Sequence, residues 1–173
     1  MHFREKRKGY LTLQGSEFEQ AVKKYRNNIY GIAFNYFKNR EDAEEIMQEV
    51  FLKLYKTEKP FESEEHVRNW LIRVAINQCK KVSMSSWFTK HLPLEEYAEA
   101  VYYDSKKEES DLFLTVMAMP KKYRIVIHLY YYEDYSVKEI AELLNMNDAT
   151  VRTRLARGRN ILKKKLSEVW DNE

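Results

Sequence analysis

Residues 136–157 read Ser136-Val-Lys-Glu-Ile-Ala-Glu-Leu-Leu-Asn-Met-Asn-Asp-Ala-Thr-Val-Arg-Thr-Arg-Leu-Ala-Arg157, and their pattern decides the fold. Ser136 with Glu139 forms a capping box, in which the serine bonds the N3 amide and the glutamate reaches back. Val137, Ile140, Ala141 and Leu144 fall on one face, and the small Ala141 lets a second helix cross closely. Asn145 stands where a left-handed residue should end the helix, and asparagine is the best choice there after glycine. Met146 plugs the turn, Asn147 or Asp148 caps the next helix, and Val151 and Leu155 turn inward. Each local choice agrees on a helix-turn-helix.

The second of these helices carries an unusual charge. Arg152, Thr153, Arg154, Arg157 and Arg159 are followed by Lys163, Lys164 and Lys165, and seven cations between Asp148 and Leu166 face one anion. That density repels itself unless an anionic partner offsets it, and DNA phosphates are such a partner. Arginine and threonine are residue types that reach base edges in the major groove, whereas a lysine run suits the backbone. A solvated basic helix end accounts for the lysines through the macrodipole. It accounts poorly for the arginines, which lie in the helix's first half.

The composition excludes other chemistries. A chain of 173 residues with 44% hydrophobic and 33% charged side chains has enough apolar content for one medium or two small packed domains. The formal net charge of +3 names no partner by itself. The lone Cys79 rules out an intramolecular disulfide and any multi-cysteine zinc site, which fits a reducing compartment. His2, His66, His91 and His128 never approach helical metal-ligand spacing. Glycines occur only at 9, 15, 31 and 158, too scattered for a phosphate-cradling loop. No cofactor is therefore expected. No apolar run is long enough to span a membrane, and the basic start has no apolar stretch behind it, so neither membrane insertion nor a signal peptide is expected. A cytoplasmic location follows.

Upstream, the sequence reads as helix again. Phe18, Val22, Tyr25, Ile29, Ile32 and Phe37 form one stripe; Ala43, Ile46, Met47, Val50, Phe51 and Leu54 form a second, with Asp42, Glu45, Gln48 and Glu49 outside it. Pro60 breaks the pattern, and Ser63 with Glu64 and Glu65 looks like a new helix start. Val67, Trp70, Leu71, Val74 and Ala75 make a third stripe, with Cys79 near its end. Periodicity then fades, and the stretch from Glu95 to Asp111 holds seven acids against two lysines. It reads as a tether that includes a boundary. Helical signal returns at Asp111, is split by Pro120, and runs through Tyr123–Tyr132 into the motif above. The fold class is all-α: two small helical domains joined by a flexible linker. The expected divisions are a tail at 1–15, a first domain at 16–82, a linker at 83–110 and a second domain at 111–173.

Three stretches carry a family resemblance. Tyr123-Arg-Ile-Val-Ile-His-Leu through Ala149-Thr-Val-Arg-Thr-Arg-Leu-Ala-Arg-Gly-Arg resembles region 4 of bacterial sigma factors, the domain that binds the promoter −35 element. Asp42-Ala-Glu-Glu-Ile-Met-Gln-Glu-Val-Phe-Leu-Lys-Leu-Tyr resembles region 2.2, and Arg68-Asn-Trp-Leu-Ile-Arg-Val-Ala-Ile-Asn resembles region 2.4. Both in order, with only a short tether between them, resemble the extracytoplasmic-function (ECF) group of the sigma-70 family. The chain departs from the pattern at Asn145, at Ala149 and at Lys81, where glycine, another small residue and an acid are usual; Lys81 touches detailed −10 preference.

The resemblance implies a sigma factor that binds core RNA polymerase, directs initiation and is not itself an enzyme. Asp42, Glu45, Gln48 and Glu49 would dock on the clamp helices of the polymerase β′ subunit, although a solvated helix face accounts for the same residues. The break at 57–65 would capture a flipped −10 base, with Phe61 either stacking on it or packing under the loop. Lys56, Lys59, Arg68, Arg73, Asn77, Lys80 and Lys81 would surround that DNA. Trp70 falls on the apolar stripe and is expected in the core. Arg152, Thr153, Ala156 and Arg157 would face −35 bases, with Arg154 and Arg159 nearer the backbone or structural. The tyrosines at 130–132 and Tyr135 would form core and rim, part of it available to the polymerase β flap or an anti-sigma factor. Two other readings stay open here: a stand-alone helix-turn-helix regulator, and a recombinase or nuclease that uses the motif for targeting. The first lacks a sensor domain with βα alternation; the second lacks a catalytic serine or clustered carboxylates.

Overall fold

The computed structural model describes residues 13, 15–58, 60–84 and 107–170. The tail up to residue 12, Lys59 and most of the expected linker, 85–106, lie outside the described residues. Seven helices make up the regular structure among those described: α1 (Ser16–Phe37), α2 (Arg40–Lys56), α3 (Glu64–Ser83), α4 (Lys107–Ala118), α5 (Lys121–Tyr131), α6 (Val137–Leu144) and α7 (Asp148–Trp170). The all-α class is as expected. α4 begins at Lys107, inside the stretch read as tether.

Contacts divide the chain into two units, one of Met1–Ala33 with Arg40–Ser85 and one of Phe34–Asn39 with Ser86–Glu173. In the first, α2 packs along α3. Ala43, Ile46, Val50, Phe51 and Leu54 meet Val67, Leu71, Ile72, Ala75, Ile76 and Cys79 in the core, joined by Tyr25, Ile29 and Ile32 of α1. The stripes differ at their edges from the sequence reading: Phe18, Val22, Phe37, Met47, Trp70 and Val74 are only half-buried. Ala33, Phe34, Ile72 and Ile76 are the buried ones instead. An ideal 3.6-residue stripe fixes the centre of a buried face, whereas its margins depend on which neighbour covers them. Ser63 caps α3, accepting from the His66 amide at 3.1 Å.

In the second unit α7 is the hub, since α4, α5 and α6 all pack against it. Gly158 makes this possible: a Cβ there would lie 2.9 Å from Cγ1 of Ile127 and 3.3 Å from Cε of Met119. Arg124 is buried in this unit and donates to the carbonyl of Asn35 at 2.9 Å and to that of Met119 at 2.7 Å. Burial lowers its pKa to about 10, so it stays charged at neutral pH. Its charge is spread over main-chain acceptors that would otherwise be orphaned at helix ends.

Candidate nucleic-acid interface

The helix-turn-helix is built as its sequence dictates. The Glu139 amide donates to Oγ of Ser136 at 3.3 Å, and the Ser136 amide donates to Oε2 of Glu139 at 2.8 Å. Ile140, Ala141 and Leu144 are buried and Val137 is half-buried. Asn145 takes the left-handed conformation at φ 55° and ψ 57°. The Met146 amide then closes on the Ala141 carbonyl at 2.9 Å. Asn147, rather than Asp148, supplies the cap: its Oδ1 accepts from the Thr150 amide at 2.7 Å. Val151 and Leu155 are buried, which fixes the rotation of α7 and leaves its opposite side to solvent.

On that side Arg152, Thr153, Ala156, Arg157 and Arg159 are exposed and Arg154 is half-buried. At 3.6 residues per turn they separate into two rows. Arg152, Ala156 and Arg159 lie on one flank. Thr150, Thr153, Arg154 and Arg157 lie on the other, the mean directions of the two rows being about 140° apart. The second row lines a groove of about 410 Å³ whose far wall is Lys122 and Tyr123 of α5. The Thr153 hydroxyl turns back to donate to the Ala149 carbonyl at 2.9 Å. Arg152 lies 4.0 Å from Asp148, and Arg159 donates to the Tyr131 hydroxyl at 3.5 Å. Such exposed contacts restrain the guanidinium groups but add little stability.

The loop between α2 and α3 is different. Phe61 is buried, its ring edge-on to His66 at 5.4 Å and to Trp70 at 5.7 Å. The stacking surface is therefore not available, and of the two readings of Phe61 the structure shows the packed one. Burial of the ring removes more apolar surface from water than an exposed loop position would allow. Arg73, Asn77 and Lys80 share a row on α3, with Arg73 and Asn77 exposed; burial lowers the pKa of Lys80. Arg68 is half-buried and stands about 120–180° around α3 from that row. Lys56 is exposed at the end of α2.

Glu45, Gln48 and Glu49 are exposed along α2, with the half-buried Asp42 beside them. Burial first, then Glu45 and Glu41, raises the pKa of Asp42. Leu52, which the sequence reading passed over, continues the same row and is 44% exposed. Its signal was present: Leu52 falls between the stripe positions Phe51 and Leu54 and cannot share their face. Tyr123 and Lys122 were also missed as part of the groove, and no local pattern in the sequence brings them there. Among the described residues no group of side chains suits a metal ion, and no helix is long and apolar enough to cross a membrane.

Comparison with known proteins adds an independent line. The family model for sigma-70 region 2 matches residues 21–87, and that for sigma-70 region 4 matches residues 111–162. The ECF RNA polymerase sigma factor SigW of Bacillus subtilis (strain 168) is 29% identical over 168 residues, covering 88% of this chain and 90% of that protein. The ECF RNA polymerase sigma-E factor of Haemophilus influenzae is 27% identical over 167 residues, covering 86% and 87% respectively. Among solved structures, the sigma factor RpoE in complex with the anti-sigma factor NepR from Bartonella quintana superposes with a TM-score of 0.67 at 15% identity. It covers 88% of this chain and 98% of that one, a likeness of fold.

Proposed function

Because this chain belongs to the sigma-70 family of bacterial RNA polymerase sigma factors, in its extracytoplasmic-function group, we propose that it carries core polymerase to promoters by recognising −35 and −10 elements separately. The observation that carries this reading is the arginine-rich outer face of α7, presented by a capped helix-turn-helix in a chain that also matches region 2. A stand-alone regulator or a targeted nuclease has no use for the region 2 match, and both readings are dropped.

In this reading residues 111–173 bind the −35 element. Thr153, Ala156, Arg157 and Arg152 face base edges, and Arg154, Arg159 and the lysines at 163–165 face phosphates. Residues 16–82 bind core polymerase and the −10 element, with 83–110 as the linker and 1–15 as a tail. Asp42, Glu45, Gln48 and Glu49 dock on the β′ clamp helices. Lys56, Lys59, Arg68, Arg73, Asn77 and Lys80 hold the −10 strand. Taking a base out of the stack costs a few kcal/mol, which a receptive loop offsets. Phe61 serves by holding that loop from beneath. The exposed rings of Tyr131 and Tyr132 are offered to the β flap. An anti-sigma factor holds the protein in check, a reading supported by the complex in which the similar fold was solved. The protein works in the cytoplasm, without a cofactor, and leaves nucleotide addition to the core enzyme.

The test is polymerase dependence. Purified chain should bind a promoter fragment weakly alone and tightly with core enzyme, and run-off transcription on a genomic promoter library should give discrete start sites. Absence of affinity for core polymerase overturns the proposal, however firmly α7 binds duplex.

A further inference from the structure

His66 has no part in the roles above, yet it touches three consecutive residues of the loop that enters α3. Its ring stands edge-on to Phe61 at 5.4 Å, its Nδ1 accepts from the Glu62 amide at 3.3 Å, and its own amide donates to Oγ of Ser63 at 3.1 Å. With Ser63 as N-cap, His66 holds the third position of α3, from which a capping-box side chain reaches back to the N-cap amide. Here the side chain reaches one residue further back. The turn that carries it is anchored to α1: the Tyr25 hydroxyl donates to the Glu64 carbonyl at 3.4 Å, and Lys24 pairs with the Glu64 carboxylate. The His66 side chain is exposed, so these contacts hold it rather than burial.

We propose that His66 is a positioning residue for −10 recognition: by accepting from the Glu62 amide it fixes residues 61–63, so that the loop meets an extruded base already shaped. The inference rests on the reading of the 57–65 break as the loop that receives a −10 base, and deepens it. Phe61 beneath the loop and the Ser63 cap do not by themselves fix the peptide between Phe61 and Glu62. The ring can stay buried and the hydroxyl bonded while that peptide plane rotates. An acceptor for the Glu62 N–H removes this freedom. A loop ordered beforehand loses less entropy on capture, which leaves more of its binding free energy to offset unstacking. A carboxamide oxygen in place of Nδ1 can accept the same bond, and a phenyl ring cannot.

The full chain, assembled with core polymerase on a promoter mapped by run-off transcription, tests this with two variants that separate the side-chain contacts of His66. His66→Phe keeps a ring against Phe61 and removes the acceptor. His66→Asn removes the ring and keeps an acceptor near the place of Nδ1. Both keep the backbone bond to Ser63, and the site is exposed, so both should fold. In promoter opening His66→Phe should relax the preference for the −10 base by roughly two- to ten-fold, the effect of one hydrogen bond. His66→Asn should stay close to the parent, whereas a merely structural role through packing on Phe61 requires the opposite order. Affinity for core polymerase should be unchanged in both. In the chain alone, NMR should show the Glu62 amide exchanging faster with solvent in His66→Phe and at nearly the parental rate in His66→Asn. Lys56→Ala combined with Lys59→Ala tests the loop itself and should weaken opening. A normal −10 preference in His66→Phe beside weakened opening in the lysine pair, a His66→Asn variant no better than His66→Phe, or an unchanged Glu62 exchange overturns this proposal alone. Unimpaired opening in the lysine pair removes the loop from −10 recognition and takes the proposal with it.

Discussion

The outer face of α7 and the polar face of α2 are both rows of charged side chains at helical spacing, but their surroundings differ. The groove beside α7 is walled by α5, and Arg159 and Arg152 of α7 are met by Tyr131 and Asp148. The α2 row gathers acids, among which burial first and then Glu45 and Glu41 raise the pKa of Asp42, and it sets an exposed Leu52 among them. Reading bases needs donors fixed to within fractions of an ångström, a demand that favours a helix braced by neighbours. Docking on another protein needs only a complementary surface with an apolar centre, and the partner supplies the bracing. An arginine row alone is therefore weak evidence for base readout; a braced one is stronger.

Removing the support beneath one region at a time is the most forceful way to break this contrast. Phe61→Ala empties a fully buried aromatic site in the first unit and should destabilise it by about 3–5 kcal/mol. Hydrogen exchange should then quicken in α3 and leave α7 as it was. Equal quickening in both would show that the two regions do not stand on separate cores. Gly158→Val is the counterpart in the second unit. Its Cβ would meet Ile127 at 2.9 Å, and the crowding should cost about 1–3 kcal/mol and spread the groove. Promoter selectivity should fall while affinity for core polymerase holds. Retained selectivity would mean that the wall formed by α5 does not matter to readout.

The face of α2 is probed by Gln48→Ala combined with Glu49→Ala. Both residues are exposed, so folding should be unaffected, and core affinity should drop by about 1 kcal/mol or more. DNA binding by the second unit should not change. Adding Leu52→Ala sharpens the contrast: a larger loss than the pair alone would place the apolar centre of the docking patch at Leu52. Unaltered core binding in all of these variants would discard the α2 face as the polymerase contact.

How much of this was legible in the sequence depends on the range of the interaction. The capping box at Ser136, the left-handed Asn145 and the cap on α7 are settled within four residues of chain, and the sequence states them directly. Apolar stripes gave the core positions Ile46, Val50, Leu54, Leu71 and Ala75 for the same reason. What could not be read is whatever depends on a partner far along the chain. Nothing local marks Arg124 within the quoted region 4 stretch, yet it is buried on the carbonyl of Asn35, 89 residues away. Phe61 stayed ambiguous because only the positions of His66 and Trp70 decide whether its ring is covered. At Gly158 a Cβ would meet Ile127, a residue of another helix that no local pattern brings to α7.

Asn145 offers the finest test, because it separates the shape of the turn from the chemistry of the face it presents. A residue with a Cβ resists the left-handed conformation by about 1–2 kcal/mol, and asparagine by less because its side chain bonds locally. Asn145→Ala should therefore cost about 1 kcal/mol. Asn145→Gly relieves the steric cost but gives the unfolded chain about 0.4–1 kcal/mol of extra conformational freedom, so the two effects nearly cancel. Thermal unfolding should thus place the glycine variant close to the parent and the alanine variant below it. At temperatures where all three remain folded, −35 selectivity should be equal, since α7 is still held by Val151 and Leu155. A loss of selectivity in the glycine variant without a loss of stability would mean that the turn itself aims α7, and that the bracing by α5 matters less than the contrast with α2 implies.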